Sequence, residues 1–165
     1  MGKQLLVEAD RLLEIDVMAS KSNKVIVYTD GGSRGNPGPA ALGVVIKNEK
    51  GETLKSYGEA LGTKTNNEAE YSAVVFALKK LKQLFGKEKT KNMIVEMRMD
   101  SELVCRQLAG EYKIEEERLF PLFIEIWNLK MDFGAVSFHH IPREKNREAD
   151  RMVNEALDGE QKTLL

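Results

Sequence analysis

The sequence predicts an α/β domain built on a five-stranded mixed sheet covered by helices. Three observations predict it. Five short runs, VIVYTD, ALGVVIKN, TLKSYGEAL, NMIVEMRM and AVSFHHI, have the β-branched content or alternation of strands. The first three follow one another through short connections and read as a hairpin meander. Between and after the others the period becomes helical, so helices cover the sheet. A chain of 165 residues suits one domain with a substantial core.

The elements follow in order. Leu5, Leu6, Ala9, Leu12, Leu13 and Val17 lie at helical spacing, which predicts a short amphipathic helix over residues 5–18. Ser20 to Asn23 is polar and separates it from VIVYTD. The second and third strands are joined by Glu49-Lys50-Gly51-Glu52. From Thr65 a helical pattern runs to Gly86, a C-terminal stop. After NMIVEMRM a short helix is expected from about Ser101 to Ala109. Another lies around Leu119 to Leu129, its entry marked by Pro121, which a first turn tolerates. Trp127, at helical spacing with Phe123 and Ile124, reads as core. AVSFHHI is the fifth strand, Arg147 to Leu157 the last helix, and the tail after Gly159 is expected to fray. The resulting division is a helix and linker over 1–23, a domain over 24–158 and a tail over 159–165.

Composition narrows the function classes. Hydrophobic residues make up 42% and charged residues 31%, as in soluble globular proteins. Glu8, Asp10, Arg11, Glu14 and Asp16 interrupt the apolar N-terminal run, which excludes a signal peptide or spanning segment there and gives a cytoplasmic location as the expectation. Cys105, the one cysteine, follows Leu103 and Val104 in a helical stretch and reads as a buried, inert thiol. A net charge of −1 is unusual for a nucleic-acid protein. Lys79, Lys80, Lys82, Lys87, Lys89 and Lys91 cluster locally, and their plain reading is a solvated helix face.

Four carboxylates carry the chemistry: Asp30, Glu70, Asp100 and Asp150. Each stands at the start or end of a predicted element, within the phrases YTDGGSRGNPGPA, TNNEAEY, MDSELV and PREKNREADRMVNEALD. Singly, each has an ordinary explanation: a turn for Asp30, an N-cap for Asp100, helix-dipole stabilisation for Asp150 with Asn146 as the cap. Helix geometry separates Glu70 from Glu68. Glu70 shares the apolar face of Ala73, Val74, Ala77, Leu81 and Leu84, whereas Glu68 shares that of Ser72, Lys79 and Lys82. A carboxylate on the buried face is costly unless paired or bound to metal. The loop from Gly31 through Ser33 to Pro39 is rich in Gly and Pro, which lets backbone approach a ligand closely. Brought together, the four acids form a pocket that divalent cations would neutralise, as in a phosphodiester hydrolase.

DGGSRGNPGPA, TNNEAEY, DSELV and the final N-x-x-x-D, in this order and spacing, make the chain resemble type I ribonuclease H from about Lys24 to Asp158. The resemblance implies the ribonuclease H fold, with the first three strands antiparallel. It implies cleavage of the RNA strand of RNA/DNA hybrids to 3′-hydroxyl and 5′-phosphate ends, with two Mg²⁺ ions, or Mn²⁺ in their place. Asp30, Glu70, Asp100 and Asp150 match the family's metal ligands. Asp30 would bridge both ions, Glu70 and Asp100 would serve the nucleophile side, and Asp150 the leaving-group side. Gly31, Ser33, Asn36, Asn66 and Asn67 match substrate-binding positions, where asparagine amides meet 2′-hydroxyls. His140, ten residues before Asp150, matches the family's loop histidine. The PRE phrase instead resembles a short branch of the family in which Arg143 takes that role. The two stand level, while alternation gives His139 an ordinary strand position.

Two departures affect substrate grip. Glu102 stands where relatives often carry glutamine, and an acid does not donate. Between Asp100 and Pro142 the basic, tryptophan-rich protrusion of many members is replaced by GEYKIEEERLFPL, so hybrid binding is expected to be weaker or more salt-sensitive. Rival readings are a non-catalytic hybrid-binding module, a same-fold nuclease acting on double-stranded RNA, and a domain of a larger polypeptide. The N-terminal helix would pack on the domain, dimerise or bind a protein partner, packing being the commonest fate of such a stripe.

Overall fold

The computed structural model describes residues 23–164; the helix expected over residues 5–18 lies outside them. β1 (Lys24–Ser33), β2 (Gly38–Asn48) and β3 (Thr53–Lys64) form the antiparallel meander. β4 (Ile94–Met99) and β5 (Ala135–His140) add in parallel, giving the strand order β3-β2-β1-β4-β5. The five expected strands and their mixed pairing are therefore present.

Helices cover both faces. α1 (Asn66–Phe85) begins at Thr65, whose hydroxyl accepts from the Glu68 N–H while the Glu68 carboxylate accepts from the Thr65 N–H. That reciprocal cap fixes where the helix starts. The short α2 (Lys87–Thr90) follows, then β4 and α3 (Glu102–Leu108). A 3₁₀ turn at Glu117–Leu119 leads into α4 (Phe120–Lys130), with proline in its first turn. A second 3₁₀ turn, Arg143–Lys145, precedes α5 (Arg147–Leu164). Consecutive residues of β1 point to opposite faces. The Cα of Gly31 faces α1, and that of Gly32 faces Val153 of α5. The main core lies under α1, where Val25, Val27, Val44 and Ile46 meet Tyr71, Val74, Leu78 and Leu81. A smaller cluster of Ala41, Val153 and Leu157 lies under α5.

Two expectations require correction. α5 does not stop at Leu157 with a frayed tail after Gly159 but continues to Leu164. One glycine costs a helix about 1 kcal/mol, and Glu160, Gln161 and Lys162 are good helix formers that offset it. Trp127 is not core: it is 56% exposed. The inward residues of α4 are Leu122, Phe123, Ile126 and Leu129, and Trp127 lies about 100° from Ile126 around the axis. Cys105 is buried, as expected, and burial pushes its thiol pKa up. The expected lysine face is largely engaged, Lys79 with Glu125, Lys82 with Asp132 and Lys91 with Glu88. Among the described residues no helix is long and apolar enough to cross a membrane.

Candidate active site

The acids meet where β4 ends and β1 runs on past it, beneath the first turns of α1. β1 and β4 are parallel neighbours, with Tyr28 opposite Arg98, so Asp30 and Asp100 emerge side by side two residues further on. Glu70 arrives from above. A Cβ on Gly31 would lie 2.3 Å from the Ala69 carbonyl carbon and the Glu70 amide nitrogen. Glycine there is what lets α1 settle onto β1 and lower Glu70 toward Asp30. Carboxylate oxygens of Asp30, Glu70 and Asp100 all lie within 4.8 Å of one another.

Asp150 is outside this trio and exposed, in the first turn of α5. Its charge nevertheless raises the pKa of both Asp30 and Asp100, so it stands at the rim of the same pocket. Two further glycines seat its helix. A Cβ on Gly43 would meet the Ala149 carbonyl oxygen at 2.1 Å, and one on Gly58 the Met152 carbonyl oxygen at 2.5 Å.

Burial and mutual repulsion leave Asp30, Glu70 and Asp100 protonated more readily than usual. Burial, then the charges of Asp100, Glu70 and Asp150, push Asp30 up to about 8, although the Gly31 N–H bonded to its Oδ1 at 2.9 Å works against this. Burial pushes Glu70 to about 7; the Ser101 hydroxyl and the Arg143 charge oppose the rise, and Asp100 adds to it. Asp100 is also raised, chiefly by burial, against a hydrogen bond from Asn146 and the charge of Arg143. Glu70 Oε2 is buried without a hydrogen-bond partner. An orphaned carboxylate oxygen among hard oxygen donors fits a hard divalent cation.

The ordinary explanations fail for Asp30, which pairs with Gly43 inside β1 rather than standing in a turn, and for Asp100; Asp150 does lie in the first turn of α5, but its expected cap is absent. Ser101, not Asp100, caps α3: its hydroxyl accepts from the Val104 N–H at 3.3 Å. Asn146 does not use its side chain to cap α5. Its Nδ2 donates to the Thr29 carbonyl at 2.9 Å and it bonds Asp100, while its Oδ1 has no partner. Asn146 thus ties the start of α5 to the end of β1. Ser101 and Asn146 are site residues that the sequence reading missed or placed in the wrong role. Their signal was adjacency, Ser101 following Asp100 and Asn146 standing one helical turn before Asp150.

Arg143 is exposed in its 3₁₀ turn, yet its charge reaches Glu70 and Asp100. His140 ends β5 opposite Met99, the residue before Asp100, and is exposed. His139 is exposed too, its Nε2 2.8 Å from the Ser137 hydroxyl. Of the expected substrate residues, three form one connected rim. The Ser33 N–H donates to Asn66 Oδ1 at 2.9 Å, the Asn66 N–H to Asn36 Oδ1 at 3.1 Å, and the Ser33 hydroxyl to the carbonyls of Gly35 and, at 2.9 Å, Lys64. Asn67 is held separately, its Nδ2 donating to Glu116 at 2.8 Å. Gly31 is buried beneath α1.

Comparisons with known proteins agree with this arrangement. A family model described as reverse transcriptase-like matches residues 28–156. The ribonuclease HI of Halobacterium salinarum is 38% identical over 142 residues, 86% of this chain and 68% of that protein. A bifunctional protein of Mycobacterium tuberculosis is 36% identical over 136 residues, 82% of this chain but 36% of its own length, so the chain spans about a third of such relatives. Among solved structures, LC11-RNase H1, isolated from compost by a metagenomic approach, matches with a TM-score of 0.79 and 51% identity, covering 84% of this chain and 99% of that one. LC11-RNase H1 in complex with an RNA/DNA hybrid matches at 49% identity, covering 83% and 99%, with the same TM-score of 0.79. With the strand order, the converging acids and these relatives in agreement, the chain belongs to the type I ribonuclease H family.

Proposed function

We propose that this domain is an endoribonuclease that hydrolyses the RNA strand of RNA/DNA hybrids, leaving 5′-phosphate and 3′-hydroxyl ends. The observation that carries the reading is the trio Asp30, Glu70 and Asp100, with carboxylate oxygens within 4.8 Å of one another and one buried oxygen of Glu70 unpartnered. These three residues and Asp150 would hold two divalent cations, Mg²⁺ or Mn²⁺, which would supply an acidified water and a counter-charge for the leaving oxygen. Asp30, which lies among the other three acids and feels their charges, would be the central ligand.

The remaining roles follow from each side chain's chemistry. Arg143 offsets part of the acid charge and carries a planar fork of donors, so it holds a phosphate at the rim. His140, exposed at the strand end beside Asp100, is placed to assist proton transfer. The rim of Ser33, Asn36 and Asn66, with Asn67 beside it, presents the amides that read 2′-hydroxyls. The cytoplasmic location read from the sequence belongs to this proposal.

End-labelled hybrid, double-stranded RNA and single-stranded RNA, each with Mg²⁺ or with chelator, test it. Cutting of the hybrid's RNA strand is expected, abolished by chelator and by Asp100→Asn. Cleavage that survives both removes the proposal. Preferential cutting of double-stranded RNA transfers it to that substrate.

A further inference from the structure

We propose that residues 5–18 of this chain dock on the outward face of α4 and cover Trp127. That face carries Phe120, Ile124, Trp127 and Met131, which are 43%, 59%, 56% and 73% exposed. Their spacing of four, three and four residues places them in one line, opposite the inward line of Leu122, Ile126 and Leu129. Single exposed apolar residues are common, but three in line on an 11-residue helix, continued by Met131 just past its end, form a patch that calls for a cover.

The position of the chain identifies the cover. In the sheet register Lys24 pairs with Ile94, and Ile94 with Ala135. The Asn23 carbonyl accepts from the Ile94 N–H at 2.9 Å. Two strand spacings, about 10 Å, therefore separate the entrance of β1 from Ala135. Ala135 lies five residues beyond Lys130, the end of α4, so residues 1–22 join the fold near the Met131 end of the stripe. Ile94, itself 47% exposed, lies between the two points.

Length, pattern and charge match. Wound as a helix, residues 5–18 would span about 21 Å against about 16 Å for α4. Leu5, Leu6, Leu12, Leu13 and Val17 supply an apolar line, and residues 19–22 a short link. The segment carries Glu8, Asp10, Glu14 and Asp16 against Arg11. At the stripe's edge stands the Lys130 ammonium, 5.2 Å from the Trp127 ring. A tethered segment meets this face at an effective concentration that a second copy at ordinary concentration does not approach.

Trp127 is the chain's one tryptophan, so its fluorescence reports this face alone. Emission and acrylamide quenching are measured on the full chain, on L12D/L13D and on I124K. The full chain is expected to show blue-shifted, poorly quenched emission. Both variants are expected to shift it to the red and raise quenching, with hybrid cleavage unchanged. Water-like, readily quenched emission from the full chain overturns the proposal. So does protection that persists in L12D/L13D, or that vanishes on dilution together with a dimer in sedimentation, since a second copy would then be the cover.

Discussion

Glu68 and Glu70 sit two residues apart on α1, and their positions assign them different duties. Glu68 closes the cap with Thr65, whereas Glu70 enters the acid trio. Glu70→Gln is expected to abolish hybrid cleavage with little loss of stability. Glu68→Ala is expected to keep turnover and cost about 0.5–1 kcal/mol of stability. Cleavage rates and melting temperatures of the two variants check this, and an inactive Glu68→Ala with an active Glu70→Gln would reverse the assignment.

The raised carboxyls also set a pH dependence. Asp30 near 8 and Glu70 near 7 lie above their unfolded values, so the native state binds more protons than the unfolded chain across that interval. Their contribution to stability is therefore present at acid pH and lost as pH rises from about 4 towards 8. Metal-free protein is expected to melt lower at pH 8 than at pH 6, with Mg²⁺ restoring more stability at the higher pH. Asp30→Asn should flatten this pH dependence; an unchanged slope would show that Asp30 does not cause it.

At the scale of elements, glycines position the site. Gly31→Ala forces a Cβ against the backbone of Ala69 and Glu70, which no side-chain rotation relieves. A loss of about 1–3 kcal/mol or more is expected, with a fall in cleavage as Glu70 moves away from Asp30. Chemical denaturation and a cleavage assay check both parts. These contacts explain what the sequence could and could not reveal. The helical period of α1 placed Glu70 on the buried face because the apolar stripe on that face is long and unbroken. Gly31 read only as a loop residue that brings backbone near a ligand, since its true neighbour, Ala69, is distant in sequence. Asn146 read as a cap because the cap position is visible in sequence and the Thr29 carbonyl it bonds is not. On α4 Phe123 packs against the core while Trp127, one turn further on, is exposed, and only tertiary packing with α1 decides where the inward face stops.

At the scale of the molecule, the phrases around the four acids carried the fold and the centre of the site, because strand ends and helix starts are local. Asp150's place at the rim rather than within the trio depends on how α5 lies over Gly43 and Gly58, which no local phrase encodes. The acidic stretch Glu115-Glu116-Glu117 has a structural consequence too: Glu116 holds the Asn67 amide that is proposed to meet the substrate. A hybrid would have to displace that carboxylate and bring phosphates beside it. Glu116→Ala is expected to lower KM about threefold to tenfold with kcat little changed. Titrating salt on the wild-type chain should weaken hybrid binding steeply. Tight binding at high ionic strength, or a KM indifferent to Glu116, would contradict this.

Calorimetric titration of Mn²⁺ into metal-free protein at pH 7, in buffers of different ionisation enthalpy, tests the acid pocket most directly. Binding should be accompanied by proton release, because Asp30 and Glu70 retain protons there that a cation displaces, and Asp30→Asn should abolish both. No uptake at millimolar Mn²⁺, or uptake that Asp30→Asn leaves intact, would contradict the account.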